Sequence, residues 1–600
     1  MATTLYLVNV MRQLSPYKKA IIVAVPLVLI IFVVAAYAMS QPPDPNLKRF
    51  TSMDEIEAYL KGAAPSWWPV FYFSRDANSL QATTAEGGLK DYSTTNIQVA
   101  GVDEADIVKS DGEYLYVASG DTVYIVKAYP PGEARVVSKI ALNNSYSQEI
   151  YINGDRLVII GNGYSVVTFK AYPVSVANSF VRVYDITDRS SPELARELVV
   201  NGTISGSRMI GEYVYIVSQE YPYVYDFDSQ DYRIELPAYA CDGSTKETKP
   251  EEIYYIESQE SHYLFMTVIS LNVIDDSIPP SDETFLAGAS STMYVSPENM
   301  YLVAHRSYPV RIMIIAPSSS AEDWKEETLI YRLSLKDGKV ALEASGSVPG
   351  GILNQYSMDE HNGHFRVATT EWTSNGSKNA IYVMNMKMEI VGSLEGIAPG
   401  ERIYSARFMG DRCYLVTFRQ VDPFFVIDLS DPSSPSVLGY LKIPGYSSYL
   451  HPLDEDHIIG LGKEGNNLKL SLFNVEDVSA PREVAKFGLN YTYSDSESLY
   501  DPKAFLFSAE RQLLAIPVGW TEDYGAWKYS QGAFVFNVSA EVGFSLRGII
   551  VHQSEMEQSY WSLTVRRILY IEDALYTVSN DQVRISDFVT LDLIKAIPLQ

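Results

Sequence analysis

The chain has 600 residues, with 47 Lys+Arg against 74 Asp+Glu, a formal net charge of -27 and 46% hydrophobic residues. That balance excludes a disordered chain, and it excludes nucleic acid and broad docking on anionic lipid, because both need a basic face. Cys241 and Cys413 are too few for a disulfide framework and read as two independent buried thiols rather than one bridge.

The N-terminal 19 residues carry Arg12, Lys18 and Lys19 and no acid. Ala20 to Met39 (AIIVAVPLVLIIFVVAAYAM) then runs without a charge, long enough to cross about 30 Å of hydrocarbon as a helix. The basic flank predicts a cytoplasmic N-terminus (1–19), a single-pass anchor (20–39) and everything after it outside the cytoplasm. The competing expectation is a secreted protein cleaved near Ala38, where Ala36-Tyr37-Ala38 offers a small-x-small site. Residues 40–95 read as a linker, stiff at Pro42-Pro43 and Pro45, with one short helix. Ser52-Met53-Asp54-Glu55 reads as its capping box and Gly62 as its stop. The sequons at Asn143, Asn201, Asn375, Asn490 and Asn537 agree with an extracytoplasmic address without requiring it.

From residue 96 to 600 the pattern has period 2. Runs such as Tyr114-Leu115-Tyr116-Val117 and Phe180-Val181-Arg182-Val183-Tyr184 lie between Gly, Asp, Asn and Pro. Polar turns preceding an apolar strand recur near residues 112, 154, 211, 298, 363, 410, 455, 510 and 573. A second recurring element, an Asp turn carrying Pro, follows in VYDITDRSSP (183–192), VIDLSDPSSP (426–435) and LFNVEDVSAP (472–481). The unit is therefore a four-stranded antiparallel blade. The chain is expected to be all-β, a β-propeller of eight or nine blades, with a long insertion in the third unit, where the turns at 211 and 298 stand far apart. The 44 tyrosines suit strands with one buried and one polar environment.

The stretch Asn96-Ile-Gln-Val-Ala-Gly-Val-Asp-Glu-Ala-Asp-Ile-Val-Lys109 followed by DGEYLYV resembles the opening of a family of predicted secreted or membrane-anchored β-propeller proteins of archaea and bacteria. SRMIGEYVYIV (207–217), GILNQYSMDEHNGHFRVATT (351–370), EGIAPGERIYSARFMGDRCYLVTFRQVDPFFVIDLSDP (395–432) and YDPKAFLF (500–507) carry the same resemblance. It implies a C-terminal propeller held outside the cell. No activity, substrate or catalytic residue is established for the family, so no site residue is carried over.

The chemistry-bearing residues are few. No GxSxG and no Ser/His/Asp set with a recognisable spacing is present. His361 and His364 in DEHNGH, and His457 in DEDH, read as turn residues before metal ligands. Asp226-Phe227-Asp228-Ser229-Gln230-Asp231 alternates carboxylates like a calcium loop but lacks its Gly and final Glu, and reads first as a solvated loop. No cofactor is expected, with calcium at this stretch as the alternative. Trp520, Tyr524, Trp527 and Tyr529 cluster in GWTEDYGAWKYSQG (519–532), which reads as packing between blades, with glycan or peptide contact as the alternative.

Aligning the first strands on their turns puts Asp106, Glu149, Arg208, Met293, Tyr356, Arg407, His451, Lys503 and Arg567 at equivalent positions facing the axis. Two readings follow. The cations Arg208, Arg407, Lys503 and Arg567 pair with Asp103, Glu104, Asp106 and Glu149 and weld the ring. Alternatively, with His451, they form an anion site. The expected function is a binding or interaction module at the cell surface with an envelope protein or glycan as partner. The alternative is an extracytoplasmic hydrolase or lyase acting on an anionic glycan in the channel.

Overall fold

The first strands, Pro turns and polar turns of the sequence assemble into nine four-stranded antiparallel sheets arranged as blades of one propeller. The computed structural model describes residues 47–62, 91–143, 145–169, 172–226, 231–256, 263–288, 290–310, 323–373, 376–418, 422–522, 529–552 and 563–599. Blades 1 to 9 span residues 108–141, 145–201, 203–287, 290–349, 358–397, 402–443, 446–488, 493–550 and 567–598. The count is nine, and all nine polar turns read from the sequence join the first strand of a blade to its second. Blade 8 is the irregular unit. Its inner edge is split between Tyr493–Asp495 and Leu506–Ser508, both paired with Leu513–Thr521.

The long insertion lies in blade 3, between Tyr213–Glu220 and Leu264–Asn272. One of its hairpins, Ala238–Cys241 with Ser244–Glu247, extends the outer edge of blade 2. Another piece, Ile253–Ile256, pairs in parallel with the outer strand of blade 3, and the short strand Leu47–Arg49 extends that sheet further. These additions cover outer edges that would otherwise present unpaired backbone groups. The predicted short helix is Met53–Gly62. Its acidic first turn and terminal Lys61 suit the helix dipole, and Ile56 and Leu60 pack with Phe50, Ile253 and Tyr255. The apolar run 20–39 lies outside the described residues. Among the described residues no helix is long and apolar enough to cross a membrane.

Neighbouring blades bury their faces on one another, which a single blade could not do. Tyr116, Tyr301, Tyr414 and Tyr576, all on second strands, are fully buried and supply much of that apolar volume. Three of their hydroxyls find polar partners at turns or at the next blade. Tyr116 donates to Asp111, Tyr301 to Glu360 and Tyr576 to Ala128 O, at 2.8, 2.8 and 2.9 Å. The last of these crosses the seam from blade 9 to blade 1. There Val108, Leu115 and Val117 share one core with Leu569, Ile571 and Ile585.

The recurring Asp turn has a physical reason. Asp188, Asp431 and Asp477 accept from the backbone N–H and hydroxyl of Ser190, Ser433 and Ser479, closing the link between third and fourth strands. These turns press on the preceding blade. A Cβ on Gly439 of blade 6 would meet Val478 O of blade 7 at 2.3 Å, and one on Gly392 of blade 5 would meet Pro432 O of blade 6 at 2.2 Å. Glycine is required at both places by close backbone approach.

Candidate functional site: a threaded channel and an aromatic rim

The first strands leave nine backbone edges facing the axis, and unpaired polar groups there would be costly. The chain meets part of this demand with its own residues 91–107, which thread the channel. Glu572 N donates to Asp91 O at 2.7 Å and Ser93 N to Tyr570 O at 3.0 Å on blade 9. Asp103 exchanges backbone bonds with Met209 of blade 3, at 2.7 and 2.9 Å, and Asp106 does so with Ile150 of blade 2, at 3.2 and 2.8 Å. Between these bridges the side chains reach the opposite wall. Asn96 Nδ2 donates to Pro502 O at 2.8 Å, and Gln98 Nε2 donates to Gln355 O at 3.0 Å. One segment thus touches blades 2, 3 and 9 through its backbone and the first-strand regions of blades 5 and 8 through amide side chains.

Of the nine residues aligned from the sequence, six lie on first strands: Glu149, Arg208, Met293, Arg407, His451 and Arg567. Asp106 lies on the threading segment. Tyr356 and Lys503 lie in short 3₁₀ turns, Gln355–Ser357 and Pro502–Ala504, that lead into their strands. Arg567 Nε is 2.8 Å from Asp106, and its Nη1 is 3.0 Å from Glu497. Its Nη2 also holds Asp501. Arg208 stands 3.2 Å from Glu104 and donates to Gln355 Oε1 at 2.9 Å. Lys503 is 2.7 Å from Glu149, and Lys109 is 2.8 Å from Asp103. Burial pushes the Glu104 and Asp106 carboxyls above their ordinary range, with Arg208 and Arg567 pulling the other way. His451 is buried against Tyr449, Phe505 and Phe507. Burial, reinforced by Arg407, pushes its imidazole down to about 3, so it is neutral at pH 7. Arg407 lies over the Tyr356 ring, 5.5 Å from its centroid.

A cavity of about 50 Å³ is lined by Asn96, Asp106, Lys503, Phe505, Arg567 and Tyr570. A larger open groove of about 890 Å³ lies between blades 1 and 2, and its Arg189 is bound to Asp155 at 2.5 Å and Tyr116 at 3.3 Å. Among the described residues no group of His, Cys, Asp or Glu has the arrangement to hold a metal ion. His361 contacts Asp411 of the next blade at 3.2 Å, and His364 bonds Asn362 O at 3.1 Å. Residues 227–230 of the calcium-like stretch lie outside the described residues, and Asp226 and Asp231 close a hairpin. Cys241 and Cys413 are free and buried.

A second feature was missed at the level of the sequence. First strands begin, and second strands end, on the side of the ring opposite the polar turns. On blades 6 to 8 that rim gathers aromatic rings. Tyr404 lies 4.7 Å from Tyr446 and 5.5 Å from Phe418, and Phe418 lies 5.2 Å from Tyr446. Arg402 covers Tyr404 at 4.6 Å and donates to its hydroxyl at 2.8 Å. Lys463 sits 4.7 Å over Tyr493 and 3.1 Å from Asp495. Tyr500 and Tyr529 stand 54% and 41% exposed nearby, each in the electrostatic surroundings of Asp495 and Tyr493. The rings come from three blades, so no single stretch of sequence displays the cluster. Of the aromatic loop read from the sequence, Trp520 is buried and stacks on Tyr491 at 5.6 Å, while Tyr524 and Trp527 lie outside the described residues.

The chain is similar to an uncharacterized protein of Archaeoglobus fulgidus, 29% identical over 97% of this chain and 99% of that one. It is also similar to an uncharacterized protein of Methanocaldococcus jannaschii, 30% identical over 85% of this chain and 84% of that one. Among solved structures, a eukaryotic initiation factor covers 70% of this chain and 91% of its own at 9% identity and a TM-score of 0.28, too distant to bear on function. Residues 92–591 match the Beta propeller domain family, a span that runs from the threading segment to the turn before the last strand of blade 9, and the chain belongs to that family.

Proposed function

We propose that this propeller is an extracytoplasmic binding module at the cell surface, held by residues 20–39 as a membrane anchor, and that its contact surface is the aromatic rim of blades 6 to 8. Its partner is an envelope glycan or protein. The observation that carries the reading is the division of labour in the ring. The axis is occupied by residues 91–107, with Arg208, Lys503 and Arg567 engaged by carboxylates. On the rim Tyr500 and Tyr529 stand exposed, and Tyr404, Tyr446 and Tyr493 are partly exposed, with Arg402 over Tyr404 and Lys463 over Tyr493. Aromatic faces edged by Arg, Lys and Asp suit sugar rings or extended polar peptides, which offer C–H faces and hydroxyl or amide edges. Arg12, Lys18 and Lys19 before the apolar run support the extracytoplasmic address, with release after cleavage near Ala38 as its variant. The alternative chemistry, hydrolysis or elimination on an anionic glycan in the channel, would need the threading segment to leave.

The test uses the full-length chain in mild detergent, presented with fractionated envelope polysaccharides and envelope proteins from its own cells. Wild type should retain one of these classes, and the variant Tyr404→Ser/Tyr446→Ser/Tyr493→Ser should lose it while keeping its melting temperature. Equal retention by both would remove the rim from the account. Carbonate extraction and external protease treatment of intact cells test the address: the propeller should be digested from outside while the anchor stays with the membrane.

A further inference from the structure

Arg407 differs from the other axial cations. Arg208, Lys503 and Arg567 each have a carboxylate within 3.2 Å, whereas Arg407 has none at ion-pair distance among the described residues. The acid that acts on it through space, Asp359, is held at 2.9 Å by Arg366. Arg407 Nε is sealed from solvent and has no acceptor. Three further donors on the adjoining 3₁₀ turn are in the same condition: Gln355 Nε2, Tyr356 Oη and Ser357 Oγ are all buried without a partner. Each of these four donors lacks an acceptor, and of the three turn residues it is Tyr356 whose ring lies against Arg407. The Tyr356 face offsets part of the arginine charge, but a cation over a ring leaves the in-plane N–H free. Tyr356 and Tyr449, with centroids 6.0 Å apart, and the threading segment limit what fits.

We propose that Arg407, beside Tyr356, binds a small monovalent anion in the channel wall between blades 5 and 6. The class is a halide or a short carboxylate, since either brings one charge and accepts several N–H and O–H bonds in little space. Such an anion supplies the counter-charge that Asp106, Glu104 and Glu149 give to the other three cations. The site is independent of the aromatic rim and stands or falls apart from it.

The test is chloride-35 NMR line broadening on the full-length chain in mild detergent, in gluconate buffer with added chloride, followed by competition with bromide, formate and acetate. Excess broadening should be displaced by bromide, and Arg407→Gln should weaken it by about tenfold or more. Displacement by formate or acetate below the bromide concentration assigns the carboxylate class, and the reverse order assigns the halide. Tyr356→Phe, which removes one donor and keeps the ring, should weaken binding several-fold without changing the melting temperature in gluconate. It decides the matter if Arg407→Gln does not fold. Equal broadening in wild type and Tyr356→Phe, or no displaceable broadening at all, overturns the proposal. So does a bromide-soaked crystal with no anomalous peak in hydrogen-bond reach of Arg407 Nε.

Discussion

Asp106 and Arg567 stand 461 residues apart in sequence and meet at 2.8 Å, both almost fully buried. Asp106 is fixed by its backbone to Ile150 of blade 2, and Arg567 opens blade 9, so the pair spans the seam where the two ends of the ring adjoin. Arg567 also serves Glu497 and Asp501. Removing either partner therefore has unequal consequences. Asp106→Leu leaves the arginine two carboxylates and should cost about 1–3 kcal/mol. Arg567→Met leaves three acids together and should cost about 3–5 kcal/mol. Urea denaturation of the two variants checks the order, and a larger loss for Asp106→Leu would contradict it.

The interlock between blades predicts a contrast between two glycines. Gly439→Ala places a methyl 2.3 Å from Val478 O and 2.7 Å from Ser479 O, both backbone atoms that cannot move without shifting the blade 7 turn. It should destabilise the ring by about 1–3 kcal/mol. Gly488, at the end of a fourth strand, has nothing within 4 Å of such a methyl. Gly488→Ala should be neutral, or stabilising by about 0.4–1 kcal/mol through the unfolded chain. Thermal melts of the pair are the check.

Acid should loosen the channel through His451. Its folded value, about 3, lies below its ordinary 6.5, so the unfolded chain takes up the proton first as pH falls. The stability it contributes is complete above pH 6.5 and is lost as pH falls toward 3. The slope is about 1.4 kcal/mol per pH unit in the middle of that window. His552, bonded to Ser579 and Thr577 at 3.0 and 2.8 Å and pushed down to about 4, acts in the same direction. Glu104 and Asp106, raised by burial, act oppositely over the carboxylate range. Urea midpoints of wild type and His451→Phe between pH 7 and 5 should diverge, with the variant showing the shallower acid limb. Parallel limbs would contradict the assignment.

The loop turns titrate as well. Hydrogen bonds from Ser433 hold the exposed Asp431 carboxyl below its ordinary value, and Ser479 does the same for Asp477. Each contributes stability above the ordinary carboxylate range that is lost as pH falls through the lowered value. Ser433→Ala should return the Asp431 titration toward its ordinary position, read by carboxyl-carbon NMR. An unmoved titration would contradict the hydrogen-bonding cause.

Much of the ring was legible in the sequence because its signals are local. Asp111-Gly112, Gly211-Glu212 and Asn362-Gly363 mark tight turns by their own chemistry, and the gap between residues 211 and 298 reports the blade 3 insertion directly. Six residues of the axial list, Glu149, Arg208, Met293, Arg407, His451 and Arg567, lie on first strands, where alternation is counted from the turn, whereas Asp106, Tyr356 and Lys503 lie outside them. Residues 91–107 gave no such signal. Asp103 and Asp106 pair with the wall through single-residue bridges, which impose no period. Nor could spacing tell Arg407 from Arg208, because the acid that serves Arg208 is Glu104, brought to it only by the path of the thread. The meeting of Tyr404, Tyr446 and Tyr493 likewise depends on the angular step from blade to blade, which no stretch of sequence displays.

Hydrogen exchange of the full-length chain tests the central claim, that the axis is closed by the chain's own segment, most directly. The amides of Ser93, Asp103 and Asp106 bond to inner strands at 3.0, 2.7 and 3.2 Å. Peptides covering 91–107 should therefore exchange as slowly as those covering Arg402–Met409 or Tyr446–Pro452, with opening free energies near that of global unfolding. Exchange of 91–107 at the rate of a free peptide, while the blades stay protected, would contradict the threaded channel.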